Sequence, residues 1–93
     1  MRHYYAIAER GTGTTWWISF PGRDGITSAA DDAGEIVAQA QDALASVAMH
    51  GGRLPRAIED GARPPADLSE FEQPAFVVVV PFAHTEEAKA AAS

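Results

Sequence analysis

The chain has 93 residues, no cysteine, and thirteen acidic against seven basic residues, which give a formal net charge of −6. This length predicts one domain with a modest core, and the absence of cysteine excludes disulfides, a thiolate zinc site and a cysteine nucleophile. The longest apolar run, residues 75–80, is far shorter than the ~20 residues that cross a bilayer. The N-terminus does not read as a signal peptide, so we expect a cytoplasmic protein.

The charge balance argues against nucleic-acid binding. Binding to a phosphate backbone needs clustered Lys and Arg, whereas the arginines are scattered through the sequence and Lys89 lies in the polar C-terminal stretch. An acidic domain suits a basic protein partner instead, because complementary charge raises the association rate and the specificity.

The chain opens with two predicted strands and two turns. Residues 4–9 and 14–20 have the composition of strands, and the glycines of residues 11–13 between them predict an antiparallel hairpin. Residues 21–25 contain one proline and two glycines and predict a second turn. Residues 26–29 then predict a short third strand.

One long amphipathic helix follows the third strand. The apolar residues of 33–48 recur at helical spacing and fall on one face. Asp32 and Glu35 predict a capping box at its start, and Gly51 with Gly52 predicts a left-handed stop. A helix with one apolar stripe needs a partner surface, which the flanking strands offer.

The remaining sequence adds one extra turn between Pro55 and Gly61 and one strand, residues 76–80, which carries the strongest strand signal. Because one helix separates this strand from the third, we expect it to run parallel to strands one and three through a right-handed crossover. The predicted fold class is α+β: a single-layer β-β-β-α-β sheet with one long helix on one face. Residues 1–82 would form the body and residues 83–93 a short polar tail.

The side chains do not predict a catalytic or metal centre. His3, His50 and His84 have no second ligand at a metal-binding spacing, so we interpret them as surface residues. Asp32 and Glu35, which with Asp31 form a carboxylate cluster, are explained by capping rather than by acid/base or two-metal chemistry. We therefore expect no catalytic residue, no metal and no cofactor.

The adjacent tryptophans Trp16 and Trp17 fall on opposite faces of a strand. Trp16 shares its face with Ile18 and Phe20, a set that suits the helix-facing core, which leaves Trp17 on the open face. A large exposed aromatic there can anchor a protein contact, and Trp17 is the predicted partner-binding residue. The alternative is that the loop of residues 52–74 covers it.

The succession of these segments resembles the HicB family of antitoxins. Residues 4–9 look like the opening strand of that family, residues 17–21 and the Ala-rich helix like its signature segment, residues 59–65 like its acidic, proline-containing loop, and residues 76–81 like its final strand. The signature positions between strand and helix are Gly25, Asp31 and Glu35. Residues 51–56 look like an insertion relative to the family.

The resemblance implies a partial ribonuclease-H-like antitoxin fold. It also implies a role: binding and silencing a HicA-type toxin, a small basic mRNA endoribonuclease, by occlusion and without a catalytic residue of its own. We expect a homo-oligomer, given the open face and edges of the sheet. An alternative of another class is a stand-alone regulatory or small-ligand-binding domain with no toxin partner.

HicB antitoxins commonly carry a C-terminal ribbon-helix-helix or helix-turn-helix domain that binds their own operator. Residues 83–93 cannot form such a domain, so either the sequence is truncated after the body or the chain is a short member of the family. We do not carry over a DNA-binding function.

Overall fold

The computed structural model describes residues 1–65, 68 and 74–83. Within those residues, four strands form one antiparallel sheet in the order β3-β2-β1-β4, and one α-helix packs on one face. The elements are, in chain order, β1 (Arg2–Arg10), β2 (Trp16–Phe20), β3 (Arg23–Ala30), a 3-10 turn (Ala33–Glu35), α1 (Ile36–Met49), a second 3-10 turn (Ile58–Asp60) and β4 (Ala75–Phe82). The predicted α+β class and the β-β-β-α-β order are confirmed.

The hairpin of β1 and β2 forms as predicted. In its loop the Gly11 N–H donates to the Thr15 carbonyl at 2.8 Å, and Gly13 has a φ of 68°. This left-handed conformation costs glycine little because it has no Cβ. Gly11 and Gly13, the glycines on which the hairpin prediction rests, therefore form the turn.

The connection from β2 to β3 is shorter than predicted. Only Pro21 and Gly22 link the two strands, since β3 begins at Arg23. Gly22 has a φ of 81°, and the Pro–Gly order with positive φ at the glycine is that of a type II turn. Residues 23–25, predicted as turn, belong to β3, where a register shift opposite the end of β2 accommodates them.

The start of α1 differs from the prediction. Asp32 is extended, with φ −143° and ψ 165°, but neither its side chain nor that of Glu35 makes a capping hydrogen bond. The predicted capping box is therefore wrong. The first turn is a tighter 3-10 turn, in which the Glu35 N–H donates to the backbone carbonyl of Asp32 at 3.1 Å.

The end of α1 is the predicted glycine stop. The Gly51 N–H donates to the Ala48 carbonyl at 3.2 Å and the Gly52 N–H to the Val47 carbonyl at 2.8 Å, which is the Schellman pattern. Gly51 has a φ of 73°. The motif satisfies two backbone carbonyls that the helix leaves without partners.

The core lies between α1 and the face of the sheet that it covers. Leu44 and Ala40 of α1 are fully buried against this face, where Ala6 and Ala8 of β1 leave room for the helix to approach. The same buried cluster also contains Tyr4 of β1, Ile18 and Phe20 of β2, Ile26 and Ala30 of β3, Ile36 of α1, Ala57, and Val80 of β4. Burial of each large side chain stabilises the fold by about 1.5–3 kcal/mol before the entropy cost.

The direction of β4 contradicts the prediction. β4 runs antiparallel to β1, with Tyr4 opposite Val80. The chain leaves α1 at the end of the sheet where β1 begins, and the second 3-10 turn packs there against the first residues of β1. It then returns to the opposite end before β4 starts, where the Arg10 N–H donates to the Pro74 carbonyl at 2.9 Å. Because α1 and the segment after it each lead from one end of the sheet to the other, β4 starts beside the end of β1 and runs antiparallel to it. The crossover rule applies only to parallel strands.

The longest helix in the described part of the chain is α1, and no helix there is long and apolar enough to cross a membrane. Residues 84–93 lie outside the described residues. The boundary between a body of residues 1–82 and a polar tail of residues 83–93 therefore stays a prediction.

Candidate functional site

The sheet face opposite α1 has no second layer in the part of the chain that the structure describes. Ile7 of β1 lies on this face between its cross-strand partners Ser19 and Val77. Trp17 pairs with Glu9 one step along the same face. We call Ile7, Trp17, Val77 and Val79 the open-face patch.

Trp17 is 55% exposed, so its predicted outward position is confirmed. Its neighbour Trp16 turns to the helix side, where its ring meets Phe76 edge-on with 5.2 Å between centroids. The Trp17 indole rests against Gly11, because a Cβ added to Gly11 would clash with Nε1 of the ring. Glycine at this position therefore lets the ring lie over the hairpin loop. The described residues of the 52–74 loop leave the ring exposed.

The open-face patch extends from β2 to β4, and Glu9 and Ser19 lie on the same face as the cross-strand partners of Trp17 and Ile7. Ile7 is only 8% exposed although it lies outside the helix-side core cluster, which shows that its neighbours on this face already shield it. Val79 is 50% exposed and Val77 is half-buried. Large apolar side chains exposed on one face, as Trp17 and Val79 are here, are typical of interaction sites.

β4 is also an edge strand. Edge strands are usually blunted by charges, prolines or bulges, yet residues 74–83 contain no charged residue and only Pro81 interrupts the strand's apolar run. Both the open-face patch and the adjoining edge therefore offer apolar and backbone surface to another protein.

The carboxylates Asp31, Asp32 and Glu35 lie exposed at the end of the sheet where α1 begins. Asp31 directly follows β3, whose residue Ala29 pairs with Trp17, so the acidic end adjoins the tryptophan. Among the described residues, no group of three His, Asp or Glu side chains could hold a metal ion. The arrangement places negative charge beside the open-face patch.

The opposite end of the sheet is held by ion pairs that the sequence analysis did not predict. The Arg2 guanidinium donates to Asp60 at 2.8 Å, and the His3 ring Nδ1 lies 2.5 Å from Glu59 Oε2. The His3 backbone N–H also donates to Glu59 Oε1 at 2.9 Å. These contacts fasten the second 3-10 turn beside the part of β1 that β2 does not reach.

The contacts with His3 change the acidity of Glu59. The hydrogen bond from the His3 backbone, followed by the contact with the His3 ring, lowers the pKa of Glu59 from 4.5 to about 2, because both favour the carboxylate. As predicted, His3 and His50 lie at the surface. His84 lies outside the described residues.

A cleft of about 280 Å³ adjoins this end of the sheet, and Tyr5, Arg56 and Arg63 are among its lining residues. Close by, the Arg23 guanidinium donates to the Arg53 carbonyl at 2.9 Å. The fold therefore brings together at this corner several arginines that lie apart in the sequence.

The fold is similar to that of a protein of known structure. No family model and no curated protein match the chain. A chain in a solved structure described as the HicA3 and HicB3 toxin-antitoxin complex is similar with a TM-score of 0.57 and 20% sequence identity, over 87% of this chain and 98% of that chain. An identity this low shows the fold alone. The chain has the small α+β fold of a component of that complex, in agreement with the HicB-like fold that its segments resemble.

Proposed function

We propose that this chain is an antitoxin that binds and neutralises a HicA-type mRNA endoribonuclease. The observation that carries the proposal is the apolar open-face patch, with Trp17 55% exposed, on a fold shared with a component of a toxin–antitoxin complex. A sheet with an uncovered apolar face is suited to protein binding. The sequence resemblance to HicB antitoxins supports the same role.

Charge supports a basic partner. The chain carries a formal net charge of −6, and the exposed Asp31, Asp32 and Glu35 lie at the end of the sheet that adjoins Trp17. Opposite charge on a toxin surface accelerates encounter and disfavours wrong partners. The apolar patch then supplies the contact area that holds the complex together.

In this proposal the chain acts by occlusion. Trp17 inserts into the toxin surface, the rest of the open-face patch excludes water around it, and the toxin loses access to RNA. The chain's own residues perform no chemical step and need no cofactor. It works in the cytoplasm as a homo-oligomer, with the uncharged edge of β4 available for pairing between copies.

The test is co-expression with the product of the neighbouring gene, followed by affinity purification and an mRNA-cleavage assay. We expect a stable complex in which cleavage is abolished, whereas the neighbour alone cleaves mRNA. A well-folded chain that neither binds the active nuclease nor lowers its cleavage rate when present in excess would contradict the proposal.

A further inference from the structure

We propose that the arginine-lined cleft binds a small ligand that combines an oxyanion, phosphate or carboxylate, with a flat apolar body. The cleft lies between the N-terminal half of β1, the β2–β3 turn and residues 55–63. We call it the arginine cleft. Trp17 does not line the cleft, although the cleft residue Tyr5 pairs with Val79 of the open-face patch. The inference does not rest on the proposed toxin contact, because the ligand can be tested without a toxin.

Some arginines of the chain already have hydrogen-bond partners and others do not. Arg2, Arg10 and Arg23 each donate to an acceptor within the chain. Arg56 and Arg63 are exposed, line the same cleft, and have no hydrogen-bond or ion-pair partner among the described residues. Two guanidiniums beside one cleft that have no partner among the described residues suit an anion, even in a chain with an excess of carboxylates. Their planar fork of donors matches phosphate and carboxylate geometry.

The backbone amides beside the cleft indicate which groups would bind the anion. The Gly61 N–H donates to the Ile58 carbonyl at 3.0 Å and the Ala62 N–H to the Ala57 carbonyl at 3.1 Å. These two amides are therefore already occupied and do not form a backbone anion nest. The guanidiniums of Arg56 and Arg63 are the donors that we assign to the charged group.

The rest of the wall is apolar. Tyr5 is half-buried and Pro55 buried, and Pro21 and Ala62 complete the surface. A volume of about 280 Å³ equals that of roughly nine waters at ~30 Å³ each. This is room for one ring with an anionic head, at the small end of ligand pockets.

The cleft is also held in place before any ligand arrives. The ion pairs of Arg2 with Asp60 and of His3 with Glu59 fix the 3-10 turn against β1. This turn carries the chain directly into the wall residues 61–63. A preformed wall reduces the ordering cost of binding.

Titration of the folded chain by calorimetry and by amide NMR tests the inference. The probes are phenyl phosphate and benzoate, with inorganic phosphate lacking the ring and benzyl alcohol lacking the charge. We expect at least one ring-bearing anion to shift the Gly61 and Ala62 amide signals and to bind about tenfold or more tightly than either partial probe. The tighter of the two ring-bearing anions identifies the head group.

Variants locate the site. The double variant Arg56→Gln, Arg63→Gln is expected to weaken binding by about tenfold or more, a loss of ~1.4 kcal/mol or more. The matched control Arg53→Gln changes an exposed arginine that does not line the cleft and should bind as the original chain does. The inference fails if neither ring-bearing anion binds, if inorganic phosphate binds equally well, if the shifts map elsewhere, or if the double variant keeps full affinity. A toxin pull-down with the double variant reports separately on the antitoxin proposal.

Discussion

Trp17→Ala is the sharpest test of the open-face patch. Buried aromatic side chains remove about 150–250 Å² from water, so at 55% exposure roughly 130 Å² of Trp17 remains to be covered by a partner. At ~25 cal/mol per Å² this area corresponds to ~3 kcal/mol. The substitution should therefore raise the Kd for the toxin by about a hundredfold.

The assay is calorimetric titration of the toxin with each purified variant. Met49→Ala is the matched control, because Met49 is 78% exposed but lies at the end of α1 and not on the open face. Thermal unfolding by circular dichroism checks that Trp17→Ala folds. If the folded Trp17→Ala chain binds within about twofold of the original affinity, which is under ~0.5 kcal/mol, Trp17 does not anchor the contact and the open face loses its assigned role.

Three further predictions concern stability, measured by urea unfolding. Leu44→Ala truncates a fully buried side chain and should cost about 2–5 kcal/mol, whereas exposed Met49→Ala should stay within about 0.5 kcal/mol; equal losses would mean that α1 does not pack as described. Gly51→Ala places a Cβ at φ 73° and should cost about 1–2 kcal/mol; an unchanged midpoint would contradict the Schellman stop. Because the pKa of Glu59 falls from 4.5 to about 2 on folding, its contribution is complete above pH 4.5 and is lost as the pH falls from there towards 2. Glu59→Gln should remove that part of the pH dependence, and an identical pH profile would show that the contact with His3 does not form.

Local signals were sufficient for most of the fold. The Gly-Thr-Gly loop, the glycine stop of α1 and the run of valines each determine structure through residues that are neighbours in sequence. The direction of β4 could not be predicted in this way. It depends on how often the chain between α1 and β4 passes along the sheet, and that path is set by contacts between distant residues, such as His3 with Glu59 and Arg10 with Pro74.

The capping prediction for the start of α1 was wrong for a different reason. The spacing of Asp32 and Glu35 satisfies the capping-box pattern, but the pattern presumes that the first turn is α-helical. The chain leaves β3 in a 3-10 turn, and the carbonyl of Asp32 accepts the bond that its side chain was expected to accept. A backbone acceptor therefore replaces the predicted side-chain cap.

The candidate sites also differ in whether neighbouring residues in the sequence could predict them. Trp17 could be placed on the open face from strand alternation alone, because its orientation depends only on Ile18 and Phe20 beside it. The arginine cleft and the ion pairs of His3 and Glu59 join residues about fifty positions apart. No spacing rule in one sequence links such positions, and only the packing of the second 3-10 turn against β1 reveals them.

The distribution of side chains on the open face argues for a partner there. One helix covers only one face of a four-stranded sheet, and among residues 1–65, 68 and 74–83 no second layer covers the other face. Toward β3 the exposed face carries Ser19 and Thr27, as expected for a solvated surface. Toward β4 it carries Val77 and Val79 beside Ile7, and Ile7 is only 8% exposed. A partner docked over Trp17 of β2 and over β1 and β4 would supply a second layer to the apolar part of this face, as the proposed toxin contact requires.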